Sequence, residues 1–151
     1  MMSFAKEDCC YWIKDLTPLS MKLLQDVSVW NKRCSAFYNA QSSLIGNSTK
    51  EREELMFIFS KRSAIFSENA TKLDATLSGK SLKDQMLESY EPVLDLMEIY
   101  EGIIFKGITS EDESFKQLHK LAIEGEEGAC TGIEDLSKAF IVNLEKTLEN
   151  N

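Results

Sequence analysis

The sequence contains few of the residues that build tight turns, with two prolines and seven glycines among 151 residues. An all-β fold of this length needs many tight turns, so the composition argues against one. Hydrophobic residues make up 43% and charged residues 28% of the chain, which is typical of a globular protein. The length fits a single domain over residues 1–151 with one hydrophobic core.

Long apolar runs are also absent from the sequence. The uninterrupted run Leu55–Phe59 has five residues, whereas a helix that crosses a bilayer needs about 20. The N-terminus lacks the apolar stretch of a signal peptide, because charged residues interrupt it at Lys6, Glu7 and Asp8. We therefore expect a soluble chain that is located in the cytoplasm.

Cysteine is scarce, and its spacing is uninformative. The chain has four cysteines and no C-x-x-C pair, which is the spacing that many zinc and redox sites use. Cys9 and Cys10 are adjacent, whereas Cys34 and Cys130 stand alone. We therefore predict free thiols, buried or half-buried, in a reducing compartment. The pattern predicts neither a metal site nor a cofactor.

Histidine, the usual general base, occurs once, at His119. A histidine phosphotransfer bundle follows its histidine closely with a lysine–glycine pair, but here the next glycine is Gly125. A di-iron bundle needs a glutamate three residues before the histidine, and that position holds Lys116. The sequence also has no nucleophile-elbow motif. We therefore predict no catalytic residues and no enzymatic activity.

The acidic charge is concentrated in the second half of the chain. Residues 1–70 hold nine Lys/Arg against eight Asp/Glu, a net charge of +1. Residues 71–151 hold eight against seventeen, a net charge of −9. A surface of that sign repels phosphate backbones, so we do not expect nucleic acid as a partner.

The sequence does contain a helical hydrophobic pattern over almost its whole length. Each predicted long helix begins at a capping signal, and the first three end at a glycine. The predicted segments are a short helix over residues 4–15, a helix from Thr17-Pro18 to Gly46, a helix from Ser48–Glu51 to Gly79, a helix from Ser81–Asp84 to Gly107, and a helix that begins at Ser110–Glu113. Short connections between long helices predict an all-α fold, an antiparallel bundle of four long helices plus the short N-terminal helix.

Each long helix carries an apolar stripe whose residues recur at steps of three and four, as in a coiled coil. Such a stripe is expected to face the interior of the bundle. The stripes are Leu23, Val27, Trp30, Cys34, Phe37 and Leu44; then Met56, Phe59, Ser63, Phe66, Ala70, Leu73 and Leu77; then Met86, Tyr90, Val93, Met97, Tyr100 and Ile104; and finally Phe115, Leu118, Ala122, Gly125, Ala129, Gly132, Leu136 and Phe140.

The stretch IEGEEGACTG, residues 123–132, is unusually rich in glycine and glutamate. It is not a phosphate-binding loop, because no lysine follows the glycines and no strand precedes them. One interpretation is a single long helix, in which small residues on one stripe admit a neighbouring helix, with Trp30 in the resulting groove. The other is a hinge between two shorter helices, with Thr131 as a new N-cap. The hinge avoids the cost of about 1 kcal/mol that each glycine adds to a helix.

Two groups of residues are candidates for binding. If the chain turns at residues 46–48, Lys32 and Arg33 lie level with Lys61 and Arg62, and the four form a basic cluster that fits an acidic peptide, a phosphoinositide or an anionic membrane. Alternatively, the two pairs are solvated faces that point apart.

The second group is apolar and lies beside the main stripes: Phe57 and Ile58 on the second helix, and Ile99 and Ile103 on the third. A bundle helix buries only about three residues in two turns, so these side chains exceed what one interior face needs. Either another part of the chain covers them, or they form a surface for a protein partner or for self-association.

Residues 18–106 resemble the first two helices of BAR-superfamily domains, those of sorting nexins in particular. The resemblance lies in WNKRCSAFYNAQSSLIGNSTKEREEL, a long helix that ends in a polar turn, and in SLKDQMLESYEPVLDLMEIYEGI. It implies an elongated homodimer that binds curved anionic membranes through a basic concave face, with the basic cluster in that role. The chain is shorter than such a domain, and its second half is acidic.

The function that the sequence favours is a non-enzymatic helical interaction module, an adaptor or complex subunit that binds a protein partner. The alternative is a BAR-like dimeric trafficking protein with peripheral membrane contact.

Overall fold

The computed structural model describes residues 11–46 and 48–149, and these residues form no β-strand. They form four long α-helices: α1 (Pro18–Ile45), α2 (Lys50–Ser78), α3 (Leu82–Thr109) and α4 (Glu113–Glu149). The all-α fold and the four long helices are therefore confirmed. The predicted short helix over residues 4–15 falls largely outside the described residues, and the described part, residues 11–15, is not helical.

The helices begin where local chemistry satisfies their first backbone N–H groups. The side chains of Thr17 and Ser81 accept hydrogen bonds from the third residue beyond each, as the sequence predicts. For α2 the cap is Thr49, one residue later than predicted. For α4 it is Asp112, whose carboxylate accepts from the backbone N–H of Ser114 at 2.9 Å.

Two of the predicted helix ends are confirmed. Gly46 and Gly79 end α1 and α2 with φ of +73° and +79°, a conformation that favours glycine. The prediction that Gly107 ends α3 is wrong, because the helix continues to Thr109. Gly107 has a different role, since a Cβ there would lie 2.2 Å from the ring of His119. The missing side chain is what allows α4 to approach α3 at this point.

α1 is the central helix, and α2, α3 and α4 all pack against it. Its buried residues include Phe37 and Tyr38, which form an aromatic core with Phe66 of α2. The rings of Tyr38 and Phe66 stack with centroids 5.9 Å apart. Offset aromatic pairs of this kind are worth about 1 kcal/mol beyond the apolar area that they bury.

Small polar side chains connect α1 and α2 through buried hydrogen bonds. Ser35 and Ser63 are buried, and each donates a hydrogen bond to the backbone carbonyl of the other. Farther along, the half-buried carboxylate of Asp74 on α2 accepts from Ser28 of α1 at 2.5 Å and from Ser89 of α3 at 2.6 Å. These contacts leave the buried hydroxyls paired, which is the condition for burying them without a large cost.

α4 is a single uninterrupted helix, so the hinge interpretation of residues 123–132 is wrong. Thr131 does not start a new helix, since its hydroxyl donates to the backbone carbonyl of Glu127 within the same helix. The helix is joined to α1 by a disulfide between Cys34 and Cys130, whose Cα atoms lie 5.6 Å apart. The prediction of free thiols is therefore wrong for this pair. Cys9 and Cys10 lie outside the described residues.

Candidate interaction surface

One face of α4 points away from the bundle. Of the predicted fourth stripe, every residue from Phe115 to Leu136 is exposed, and Leu118 is 66% exposed. The prediction that this stripe faces the interior is therefore wrong. We call this surface the outer face of α4; its members are Phe115, Leu118, Leu121, Ala122, Gly125, Gly128, Ala129, Gly132 and Leu136.

The buried side of α4 is set by other residues, and it combines covalent, polar and apolar contacts. Cys130 forms the disulfide, Ser137 accepts a hydrogen bond from Asn31 at 2.8 Å, and Ile141 and Leu144 pack with Leu24 of α1. Trp30 does not lie in a groove of α4 as expected. Its ring instead lies under the guanidinium of Arg33, 4.5 Å from the ring centroid.

The three glycines of the outer face pack against none of the described residues. A Cβ built at Gly125, Gly128 or Gly132 meets nothing within 4 Å. Each glycine in a helix interior costs about 1 kcal/mol relative to alanine. The described residues offer no contact that offsets this cost.

The outer face is also free of charge over about six helical turns. Between Phe115 and Leu136 the charged side chains of α4 lie on its other sides, and Asp135 stands at the border of the face. More than a quarter of the whole chain is charged, so a face of this length without charge is typical of a contact surface.

The predicted partner-binding residues of α3 lie next to α4. Ile99 and Ile103 are 58% and 51% exposed. Each directly precedes a residue that is turned toward the bundle, namely Tyr100, whose hydroxyl bonds Glu126 of α4 at 2.9 Å, and the buried Ile104. The two isoleucines therefore occupy the flank of α3 beside its contact with α4.

Phe57 and Ile58 form a separate surface on α2. Both are exposed, and they border a shallow cavity of about 690 Å³. Its lining comes from α2 alone and includes Lys50, Glu53 and Glu54. The four residues predicted for partner binding thus fall into two pairs, and the pair on α2 lies among charged side chains.

A groove lies between α2 and α3, and the sequence did not predict it. It has a volume of about 730 Å³. Small side chains such as Ser60, Ala64 and Ser67 line it on α2, and Met86 and Leu87 line it on α3. Met86 was expected in the interior, but it is exposed because α3 instead buries Gln85 and Ser89. A polar network with Asp74 draws those two side chains inward, and apolar spacing does not reveal it.

Three residues of the predicted basic cluster are paired with acidic side chains. Lys32 contacts Asp74 at 2.7 Å, and Arg33 contacts Glu126 at 2.8 Å. Arg62 lies 3.8 Å from Glu134, with its guanidinium over the ring of Tyr38 at 4.7 Å. Lys61 is exposed.

Arg33, Tyr100 and Glu126 form a triad that connects α1, α3 and α4. The hydrogen bond to Glu126 raises the pKa of Arg33, which is already a permanent cation. Burial, followed by the hydrogen bond to Glu126, raises the pKa of Tyr100 from 10.0 to about 12. The triad therefore connects three helices through one ion pair and the hydrogen bonds of the Tyr100 hydroxyl.

The described residues show neither a metal-binding cluster nor a membrane-spanning helix. They contain no group of three or more His, Cys, Asp or Glu side chains placed to hold a metal ion. None of the four helices combines the length and apolar character that crossing a bilayer requires.

No family model, no curated protein and no solved structure matches this chain.

Proposed function

We propose that the protein is a non-enzymatic helical interaction module, an adaptor or complex subunit, and that it binds its protein partner through α3 and α4. The observation that supports this proposal is the outer face of α4, which is apolar, free of charge and, among residues 11–46 and 48–149, left without a cover over about 32 Å of helix. Exposed apolar surface of that extent is characteristic of protein–protein contact sites.

The helices are inferred to run antiparallel, which brings the outer face of α4 and the flank of α3 together. Tyr100 contacts Glu126, and Gly107 lies against His119, so positions later in α3 meet positions earlier in α4. A helix turns about 100° per residue. In an antiparallel pair, the residues just before the contact points therefore lie on the same side of both helices. Those residues are Ile99 and Lys106 on α3 and Leu118 and Gly125 on α4. We call the combined surface, the outer face of α4 with Ile99 and Ile103, the α3–α4 surface.

A BAR-like role at membranes has less support. It requires free cations on one face, whereas Lys32, Arg33 and Arg62 each contact a carboxylate. Paired cations attract phosphate groups much less than free ones, because their charge is already balanced.

The disulfide between Cys34 and Cys130 is relevant to the redox state of the compartment in which the protein is located. Structural disulfides persist in oxidising compartments and are rare in the cytosol. We therefore infer an oxidising environment in place of the cytoplasm that the sequence predicted. Mass analysis of peptides from the native protein, alkylated without reduction, tests this inference: linked Cys34 and Cys130 peptides are expected, and alkylated Cys34 would contradict it.

Site-specific photo-cross-linking tests the proposed function. A photoreactive residue at Leu118 or Ile103 is expected to give cross-linked protein adducts in cells. The same residue at Leu87, which is 77% exposed on another side of α3, is the matched control and is expected to give few adducts. The proposal fails if Leu118 and Ile103 give no protein adduct, or no more than Leu87 does.

A further inference from the structure

The outer face of α4 has a size pattern that is symmetric about its middle. Along its central line, large side chains, Leu118 and Leu136, stand near the two ends, and Ala122, Gly125, Ala129 and Gly132 lie between them, while Leu121 lies at one edge. All of them are exposed, and the three glycines have open space where a Cβ would lie. A face that is narrow in the middle and bulky at both ends matches its own copy after rotation by 180°.

We propose that the α3–α4 surface binds a second copy of this chain, with the two α4 helices antiparallel about a two-fold axis near residue 127. This proposal rests on the proposed function, because it names the partner of the same surface. Along the central line of the outer face, the axis places small residues against small ones and leucine against leucine. The facing pairs are Leu118 with Leu136, Ala122 with Gly132, and Gly125 with Ala129, each pair occurring twice.

The glycines explain how closely the two helices approach. Helix axes that pack through larger side chains lie about 8–10 Å apart. Glycine and alanine at the contact let backbones come closer, and this close packing is the reason small residues recur at helix–helix crossings. The helical stability lost at Gly125 and Gly132 is then offset by contacts that exist only between two copies.

Charge selects both the face and the direction of the pairing. Each copy carries a net charge of −8, so two copies repel each other unless they meet where charge is absent. In a parallel pair, Asp135 would face its own copy directly. In the antiparallel pair, the two Asp135 positions lie about 24 Å apart along the helix, well beyond the screening length of roughly 8 Å at physiological salt.

The area of the α3–α4 surface determines the expected affinity of the dimer. The outer face is about 32 Å long and about 10 Å wide, and the flank of α3 widens it at one end. A contact of roughly 500 Å² per copy is at the low end of specific interfaces. We therefore expect a reversible dimer with a dissociation constant in the micromolar range.

Sedimentation velocity over a concentration series tests the dimer. The unmodified chain is expected to pass from monomer to dimer, and Leu118→Glu to raise the dissociation constant by about a hundredfold by placing an unpaired charge at the contact. Leu87→Glu introduces the same charge away from the α3–α4 surface, and it is expected to leave the dissociation constant unchanged. A chain that stays monomeric overturns the proposal, and so does association that survives Leu118→Glu.

Gly125 supplies a second variant that keeps the fold intact. Both Gly125→Ala and Gly125→Leu fill open space in the single chain and favour the helix. Gly125→Ala is expected to keep the association, because alanine already faces this position. Gly125→Leu is expected to abolish it while the circular dichroism spectrum stays helical. If Gly125→Leu associates as strongly as Gly125→Ala, the two α4 helices do not approach each other closely at this position.

Cross-linking tests the direction of the helices. In a background in which Cys9 and Cys10 are changed to serine, Leu118→Cys and Leu136→Cys chains are oxidised separately and as an equimolar mixture. The antiparallel pair is expected to give a cross-linked dimer in the mixture alone. Cross-links in the separate samples overturn the antiparallel arrangement. In the photo-cross-linking experiment, adducts at Leu118 that contain only another protein overturn the second copy and leave the proposed function standing.

Discussion

The pair α1–α2 and the helix α4 are held in the bundle in different ways. α1 buries residues on almost every side, including Phe37, Tyr38 and several serines, because all three other helices pack against it. α4 is the longest helix, yet it buries only Cys130, Ser137, Ile141 and Leu144. A disulfide, a hydrogen bond from Asn31 and the Arg33–Glu126 ion pair join it to α1, together with the apolar packing of Ile141 and Leu144. A helix held along one edge keeps its opposite face available for a partner.

Truncation of an aromatic core residue should have the largest effect on stability. Phe66 is fully buried against Tyr38, and Phe66→Ala should lower the free energy of unfolding by about 3–5 kcal/mol. Leu118→Ala, on the outer face of α4, should change it by less than about 0.5 kcal/mol at protein concentrations below the dimer range. Urea unfolding measures both values. Equal losses would show that the outer face is covered within the single chain.

Loss of the disulfide should come next. Cys34 and Cys130 are 96 residues apart in sequence, and closing a loop of that size stabilises a fold by about 3 kcal/mol or more. The double variant Cys34→Ala/Cys130→Ala should lose that amount, and amide exchange should speed up in α4 more than in α1 and α2. Uniform acceleration in all four helices would contradict the view that α4 is attached separately.

Two glycines should respond in opposite directions to the same change. Gly107→Ala places a Cβ 2.2 Å from the ring of His119, and overpacking of this kind should destabilise the chain by about 2 kcal/mol. Gly125→Ala meets open space, so it should stabilise the monomer by about 1 kcal/mol. Thermal unfolding at low protein concentration compares them. The same sign for both would show that the two glycines have similar surroundings.

A pH effect at the Arg33–Tyr100–Glu126 triad should be the smallest. The pKa of Tyr100 is about 12 in the folded chain against an ordinary value of 10.0, so the unfolded phenol ionises first. Its contribution is complete below pH 10 and is lost as the pH rises toward 12. Tyr100→Phe should therefore flatten the fall in stability over that range. Burial also raises the pKa of Tyr38, so Tyr38→Phe is the control. The effect of each substitution on the stability above pH 10 is measured in its own variant, which separates the two phenols.

The sequence predicted the helices well because their signals are local. Capping side chains at Thr17 and Ser81 and the glycines at positions 46 and 79 act on adjacent backbone, so single residues reveal them. The stripe of α2 through Ser63, Phe66, Ala70 and Leu73 is buried as predicted. In α2 the apolar stripe faces the hydrophobic core of the same chain.

The arrangement of the helices was harder to predict because it depends on distant residues. The stripe of α4 has the correct period but faces outward, since Cys130 and Ser137 fix the opposite side to α1. Apolar spacing does not distinguish a stripe that is buried within the chain from one that awaits a partner. The disulfide left no local signal either, because its cysteines are far apart in sequence. Similarly, the basic cluster could not be tested without the positions of Asp74, Glu126 and Glu134.

The most direct test is hydrogen–deuterium exchange of the oxidised chain at protein concentrations below and above the expected dimer range. Residues 115–136 of α4 and residues 99–103 of α3 should gain protection as concentration rises, while residues 50–60 of α2, which include Phe57 and Ile58, should not change. A gain confined to α2, or unchanged exchange over residues 115–136, would contradict an outward face of α4 that pairs with its own copy.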